Sequence, residues 1–161
     1  MRILVASFPK QLIESAEIAA QFSLTKTYNF QNIVITGLGG SGIGGTIISD
    51  LLKASSKFPI HVNKGYNLPG FANQHTLVIA CSYSGNTEET ISVFDQAVSN
   101  NCQLIGITSG GELEKKCTSN NFEFVIIPGG LPPRAAFGYP FVQLNHILQL
   151  LDINTDFSIN Q

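Results

Sequence analysis

Asn32-Ile-Val-Ile-Thr-Gly-Leu-Gly-Gly-Ser-Gly-Ile-Gly-Gly45 is the stretch on which the fold class turns. Its first five residues form an apolar run of strand length. It then enters a cluster holding six of the chain's 15 glycines. A helical pattern follows, roughly Gly42 to Ala54. A strand that runs through a glycine turn into a helix is the opening half of a βαβ unit.

The same alternation extends in both directions. Upstream, Leu12, Ile13, Ala16, Ala19 and Ala20 recur at helical spacing and predict a helix from Pro9 to Phe22. Downstream, strands are expected at Phe58–Val62, Thr76–Cys81, Gln103–Thr108 and Phe122–Ile127. Helices are expected at Glu88–Ser99, Glu112–Thr118 and in a last segment ending near Leu151, with Pro140 starting or kinking it. The strands are continuous apolar runs, as burial on both faces requires. The expected fold is α/β: a flavodoxin-like, three-layer α/β/α sandwich around five parallel strands in the order 2-1-3-4-5. At 161 residues the chain reads as a single domain, 1–161, whose last ten residues, 152–161, are polar enough to fray.

Composition narrows the function. Hydrophobic residues make up 43% of the chain, charged residues 12%, and the net charge is −2. That balance argues against a nucleic-acid binder, which would neutralise a phosphate backbone with many cations. It leaves room for one small anion, because backbone N–H groups bind anions without net positive charge. Cys81, Cys102 and Cys117 are odd in number and lack metal or redox spacing, as expected of reduced thiols in the cytoplasm. No apolar run is long enough to span a membrane, and the start does not read as a signal peptide.

Two segments at strand ends carry the chemistry. After the first strand, the glycines from Gly37 onward let backbone amides converge on an anion at a helix N-terminus, with Ser41 adding a hydroxyl. After the third strand, Ser82-Tyr-Ser-Gly-Asn-Thr87 offers three hydroxyls, and Thr87 also suits the N-cap of the next helix. In the expected strand order these loops are neighbours at the switch point, where such sheets bind ligands. A hydrogen bond to a charged group contributes about 1.5–3 kcal/mol, so four outweigh an association cost of at least about 4 kcal/mol. The loop has no G-K-[ST] lysine, and none is required.

Gly37, Gly39 and Gly42 also match the dinucleotide pattern G-x-G-x-x-G. That site wants an acid about 20 residues on, and Ile60-His-Val-Asn-Lys64 has none. A tight turn without a ligand is the plain structural alternative. The hydroxyl-rich second loop favours a sugar phosphate over both.

The ordered set Gly37–Gly45, Tyr66-Asn-Leu-Pro69, Ser82–Thr90, Thr108-Ser-Gly-Gly111 and Pro128–Tyr139 resembles the bifunctional phosphoglucose/phosphomannose isomerases, which are built from sugar isomerase (SIS) domains. The likeness covers about Phe8 to Leu151. It implies substrate-phosphate binding by Gly40, Ser41, Ser82, Ser84 and Thr87. It also implies an active-site role for Arg134, whose guanidinium would stabilise an enediolate. A surface salt bridge is the alternative for Arg134. The family's proteins are about twice as long, with the catalytic Glu, a ring-opening His and a Lys in the second half, so the general base is expected outside this stretch. Thr46 stands where the family usually has Asp.

Local residues offer few candidates for the base. Glu88 and Glu89 suit the dipole of a helix start. His146 lies in an apolar helix, His61 and His75 flank strands, and Cys81 reads as an inert buried thiol. Tyr83 could line the pocket or cover its mouth. The resulting expectation is a phosphosugar-binding SIS domain related to glucose-6-phosphate/mannose-6-phosphate isomerase. Its ligand would be a hexose 6-phosphate or related sugar phosphate. Activity would need a second SIS half, separately encoded, or a second subunit, and a homodimer is implied. The alternatives are a complete single-SIS phosphosugar isomerase and a non-catalytic sugar-phosphate sensor. No metal, cofactor, nucleic acid or membrane partner is expected.

Overall fold

The computed structural model describes residues 8–153. In chain order the elements are α1 (Phe8–Gln21), β1 (Asn32–Thr36), α2 (Gly39–Leu52), β2 (Ile60–Asn63), β3 (Thr76–Ser82), α3 (Glu88–Ser99), β4 (Gln103–Thr108), α4 (Gly111–Ser119), β5 (Glu123–Ile126), a 3₁₀ turn (Pro133–Ala135) and α5 (Gly138–Leu150). The strands form one five-stranded sheet ordered β2-β1-β3-β4-β5. All four pairings are parallel, so every strand points its carboxyl end at the same edge.

The sheet divides the interior into two apolar layers. Alternate residues of the central strands, Ile33, Ile35, Leu77, Ile79, Ile105 and Ile107, face Ile48 and Leu52 of α2 and Leu144, Ile147 and Leu148 of α5. The residues between them, Val34, Val78, Ala80 and Leu104, face Val93, Phe94 and Ala97 of α3 and Leu113 and Cys117 of α4. This is the expected α/β/α sandwich.

The first helix and the last are joined by buried polar contacts. Gln143 Nε2 donates to the Ser15 carbonyl at 2.7 Å, and the Ser15 hydroxyl donates to the Tyr139 carbonyl at 3.2 Å. Gln11 Nε2 donates to the Ala135 carbonyl at 2.7 Å, which fixes the 3₁₀ turn. Among the described residues, no helix is long and apolar enough to cross a membrane.

Two boundaries differ in ways that shape the site. The second helix begins at Gly39, not near Gly42, so most of the glycine cluster is helix rather than loop. Glycine's poor helix propensity argues for a loop, but tertiary packing wins. A Cβ on Gly45 would stand 2.8 Å from Ile35 Cγ2, so only glycine lets α2 lie this close to β1. The second strand runs to Asn63, one residue beyond the expected Val62. Pro140 is the third residue of α5, within the first turn where no helical N–H bond is lost, so it starts the helix rather than kinking it. Ile153 is buried in the core, and the remainder of the expected tail lies outside the described residues.

Candidate functional site

Thr36 of β1 pairs with Ala80 of β3. The segments that follow these strands therefore leave the sheet side by side. A Cβ placed on Gly37 would lie 2.8 Å from the Cys81 carbonyl oxygen and 3.2 Å from Ser41 Cβ. Ser41 and the start of the second loop thus meet across a single glycine.

The start of α2 is suited to accept an anion. Leu38 holds the N-cap position, and a leucine has no side-chain oxygen to offer the first helical N–H groups. Gly42 N–H is the first to bond within the helix, to the Leu38 carbonyl at 3.3 Å. The N–H groups of Gly39, Gly40 and Ser41 precede it and lack helical acceptors. Ser41 is only 7% exposed, yet its hydroxyl makes no hydrogen bond among the described residues. Thr46, further along α2, donates its hydroxyl to the Gly42 carbonyl at 3.1 Å, a bond within the helix.

The second loop is held from several sides. Ser82 Oγ and Thr87 Oγ1 are 2.9 Å apart, and Thr87 N–H reaches Ser82 Oγ at 3.4 Å. Thr87 does occupy the N-cap position of α3, as expected, but its hydroxyl turns to Ser82 and makes no cap bond. Ser84 is exposed and accepts the Asn86 N–H at 3.2 Å, which leaves its own O–H available. Gly85 has φ +72°, and a Cβ there would overlap the Gly110 carbonyl oxygen. Asn86 Oδ1 accepts the Glu112 N–H at 3.0 Å. The second loop and the start of α4 are thus packed backbone to backbone.

Tyr83 neither lines an open pocket nor covers a mouth. It is buried, its phenol oxygen accepts the Leu131 N–H at 3.0 Å, and its carbonyl accepts from the backbone and side chain of Ser109. It ties the segment after β3 to those after β4 and β5. The segment after β5 then returns across the crest to α2. A Cβ on Gly40 would lie 3.1 Å from the Pro133 carbonyl oxygen, so the 3₁₀ turn carrying Arg134 touches the helix start. Arg134 is exposed and has no ion pair among the described residues, so the surface salt bridge is not formed.

The candidates for a base lie away from this cluster or are engaged. His61 is exposed on the edge strand, its ring edge-on to Phe71 at 5.8 Å. His75 precedes β3, at the opposite edge of the sheet. His146 is half-buried, with Nε2 3.2 Å from the Phe22 carbonyl oxygen. Glu88 accepts the Tyr66 hydroxyl at 3.3 Å, and Glu89 with Glu88 holds that phenol above its ordinary range. Cys81 is buried, and desolvation pushes its thiol up to about 12, so no thiolate is available near neutral pH. Among the described residues no three His, Cys, Asp or Glu side chains are grouped to hold a metal ion.

Sequence reasoning had no way to single out Tyr83 as a clasp, because its partners are 26 and 48 residues away. Thr90 is a second omission. Its hydroxyl is fully buried and has no hydrogen-bond partner among the described residues, a property that no local pattern around it signals.

Comparison with known proteins agrees with this arrangement. The SIS domain model matches residues 26–122. The chain is 43% identical over 141 residues to the bifunctional phosphoglucose/phosphomannose isomerase of Caldicellulosiruptor bescii, covering 87% of this chain and 42% of that protein. It therefore spans less than half the length of that relative. Among solved structures, Escherichia coli CFT073 c3406, a complex with a phosphosugar, has a TM-score of 0.67 at 19% identity, covering 94% of this chain and 92% of that one. The Vibrio vulnificus NanR protein complexed with ManNAc-6P has a TM-score of 0.68 at 17% identity, covering 94% of this chain and 61% of that one. Identities this low speak for the fold alone.

Proposed function

The chain belongs to the SIS domain family, related to the bifunctional phosphoglucose/phosphomannose isomerases, and from that premise we propose that it binds the phosphate of a hexose 6-phosphate at the start of α2. The phosphate is held by the backbone of Gly40, by the Ser41 hydroxyl, and by Ser82, Ser84 and Thr87 of the second loop. The observation that carries this reading is Ser41: a residue nine-tenths buried, its hydroxyl without a partner, at an uncapped helix start beside a hydroxyl-rich turn. Burying such a group unpaired costs about 1–3 kcal/mol, which a bound anion would recover. That c3406 and NanR were both solved with phosphosugars supports this ligand class.

Catalysis is the second layer of the proposal. Aldose–ketose isomerisation moves a proton between C1 and C2 through an enediolate. Arg134 sits on a turn that touches the helix start, within one segment of the phosphate site, and a guanidinium there neutralises the developing oxyanion. The base comes from a second SIS domain, as a further half or a second subunit. The exposed stripe Ile43, Ile47 and Leu51, one side of α2 from its second turn onward, is the surface such a domain would cover. The three free, buried cysteines fit a cytoplasmic setting.

The described chain equally supports a sugar-phosphate sensor on one specific ground: none of its histidines is at the crest, and Glu88 is held by Tyr66. One experiment separates the readings. Glucose 6-phosphate binding is measured by calorimetry, and conversion to fructose 6-phosphate is followed for the chain alone and with the complementary SIS domain. Binding without turnover alone, and turnover with the partner, supports the isomerase. Binding without turnover in either case supports the sensor. Absence of binding overturns the phosphate site itself.

A further inference from the structure

Thr36 and Asn63 are paired across β1 and β2, so Gly37 and Lys64, the residues that follow them, leave the sheet abreast. The Gly37 N–H donates to the Asn63 carbonyl at 3.3 Å, which locks the two segments together where they part. The Lys64 side chain then lies over the first turn of α2. Its Cε is 3.8 Å from the position a Cβ on Gly42 would take. Lys64 is exposed and has no ion pair among the described residues.

This placement is unusual for the chain. Of the described lysines and arginines, only Lys64 and Arg134 stand on segments that leave the carboxyl ends of strands; the others lie on α1, α2, α4 or the connections at the opposite edge. The two flank the start of α2 from different sides. Arg134 comes from the turn whose Pro133 carbonyl abuts Gly40, and Lys64 comes from the edge beside Gly42. A helix start with free N–H groups and an unpartnered hydroxyl on a buried serine thus has a movable cation on either flank.

We propose that Lys64 is a ligand-binding residue of this site, its ammonium contacting the phosphate dianion held by the α2 start. The proposal rests on the phosphate-site reading above and adds to it a charge that the glycine turn lacks. A search for a lysine inside the turn misses it, because strand pairing supplies it from a neighbouring segment. An ammonium on a flexible stem acts as a point charge toward phosphate, without the geometric demands of a guanidinium. Its attraction is screened by salt, since the group is exposed.

The test is calorimetric titration of the whole chain with glucose 6-phosphate, comparing the wild type with Lys64→Met, Lys64→Arg and Ser41→Ala at low and high salt. Lys64→Met keeps the apolar stem and removes the charge. The expected result is a Kd raised about tenfold, a weaker dependence on salt, and an unchanged melting temperature. Lys64→Arg restores affinity to within about threefold. Two results overturn the role of Lys64: Lys64→Met binding as tightly as the wild type with the same salt dependence, or Lys64→Arg binding as weakly as Lys64→Met. If Ser41→Ala loses affinity while Lys64→Met does not, the phosphate site stands and the lysine contact falls. If the wild type binds no glucose 6-phosphate at any salt concentration, both fall together.

Discussion

The hydroxyls of Ser82 and Thr87 are 2.9 Å apart and share one hydrogen bond. A hydroxyl has a single proton to donate. The pair therefore closes the second loop from within and presents one outward O–H, not two. Ser84, whose oxygen only accepts from Asn86, supplies another, and Ser41 a third. In the proposed site the anion meets three hydroxyl protons and the unbonded N–H groups at the start of α2.

This inventory sets the first prediction. Ser41→Ala and Ser84→Ala each remove one donor to a charged ligand and should weaken glucose 6-phosphate binding on the order of tenfold. The two differ in stability. Ser84 is exposed, so its alanine variant should melt with the wild type, and Ser41→Ala should melt at or slightly above it, having lost an unpaired hydroxyl. Calorimetry and thermal melts check both halves.

The backbone of the second loop is more demanding than its side chains. Gly85→Ala drives a Cβ into the Gly110 carbonyl at a φ of +72°. It should destabilise the fold by at least about 2 kcal/mol and abolish ligand binding. Gly130→Ala is the control. Its φ is +87° with nothing within 4 Å of the added carbon, so only the backbone term of about 1–2 kcal/mol applies. Urea titrations of the two variants give the comparison.

Thr90 offers a stabilising change. Its hydroxyl is fully buried without a partner among the described residues. Thr90→Val keeps the shape and removes the unpaired group, and should gain about 1 kcal/mol, raising the melting temperature by about 2–4 °C. A fall in melting temperature would show that the hydroxyl is satisfied in solution.

Alkaline pH should weaken the fold. Burial pushes the thiols of Cys81 and Cys117 up to about 12 from an ordinary 9.0. The folded chain therefore holds protons that the unfolded chain releases above pH 9. Their contribution is complete below pH 9 and is lost as pH rises toward 12. Tyr28, raised by burial and by its bond to Glu123, acts in the same direction. Urea midpoints should fall steadily above pH 9, and Cys81→Ala should show a shallower decline from a lower starting value.

The sheet was legible because its strands are short apolar runs with glycines at their ends, and β1 and β4 have the expected limits. The start of α2 was not, because glycine's propensity argues for loop while the packing of Gly45 on Ile35 decides for helix. The site's components were legible where they are local: hydroxyls in a turn, glycines before a helix. What escaped depends on pairing between distant segments. Lys64 joins the cluster only through the register of Thr36 with Asn63, and Tyr83 becomes a clasp only when Leu131 arrives beside it.

The contacts of α1 have a consequence for synthesis. Gln11 and Ser15 find their partners at Ala135, Tyr139 and Gln143, separated from them by 124 to 128 positions. On a ribosome, the earliest helix must wait for the latest before either is secured, and until then the turn bearing Arg134 has no anchor. Shortening the chain at its beginning should thus disable a residue near its other extremity, and nascent chains stalled before Tyr139 should be readily cut by protease within α1.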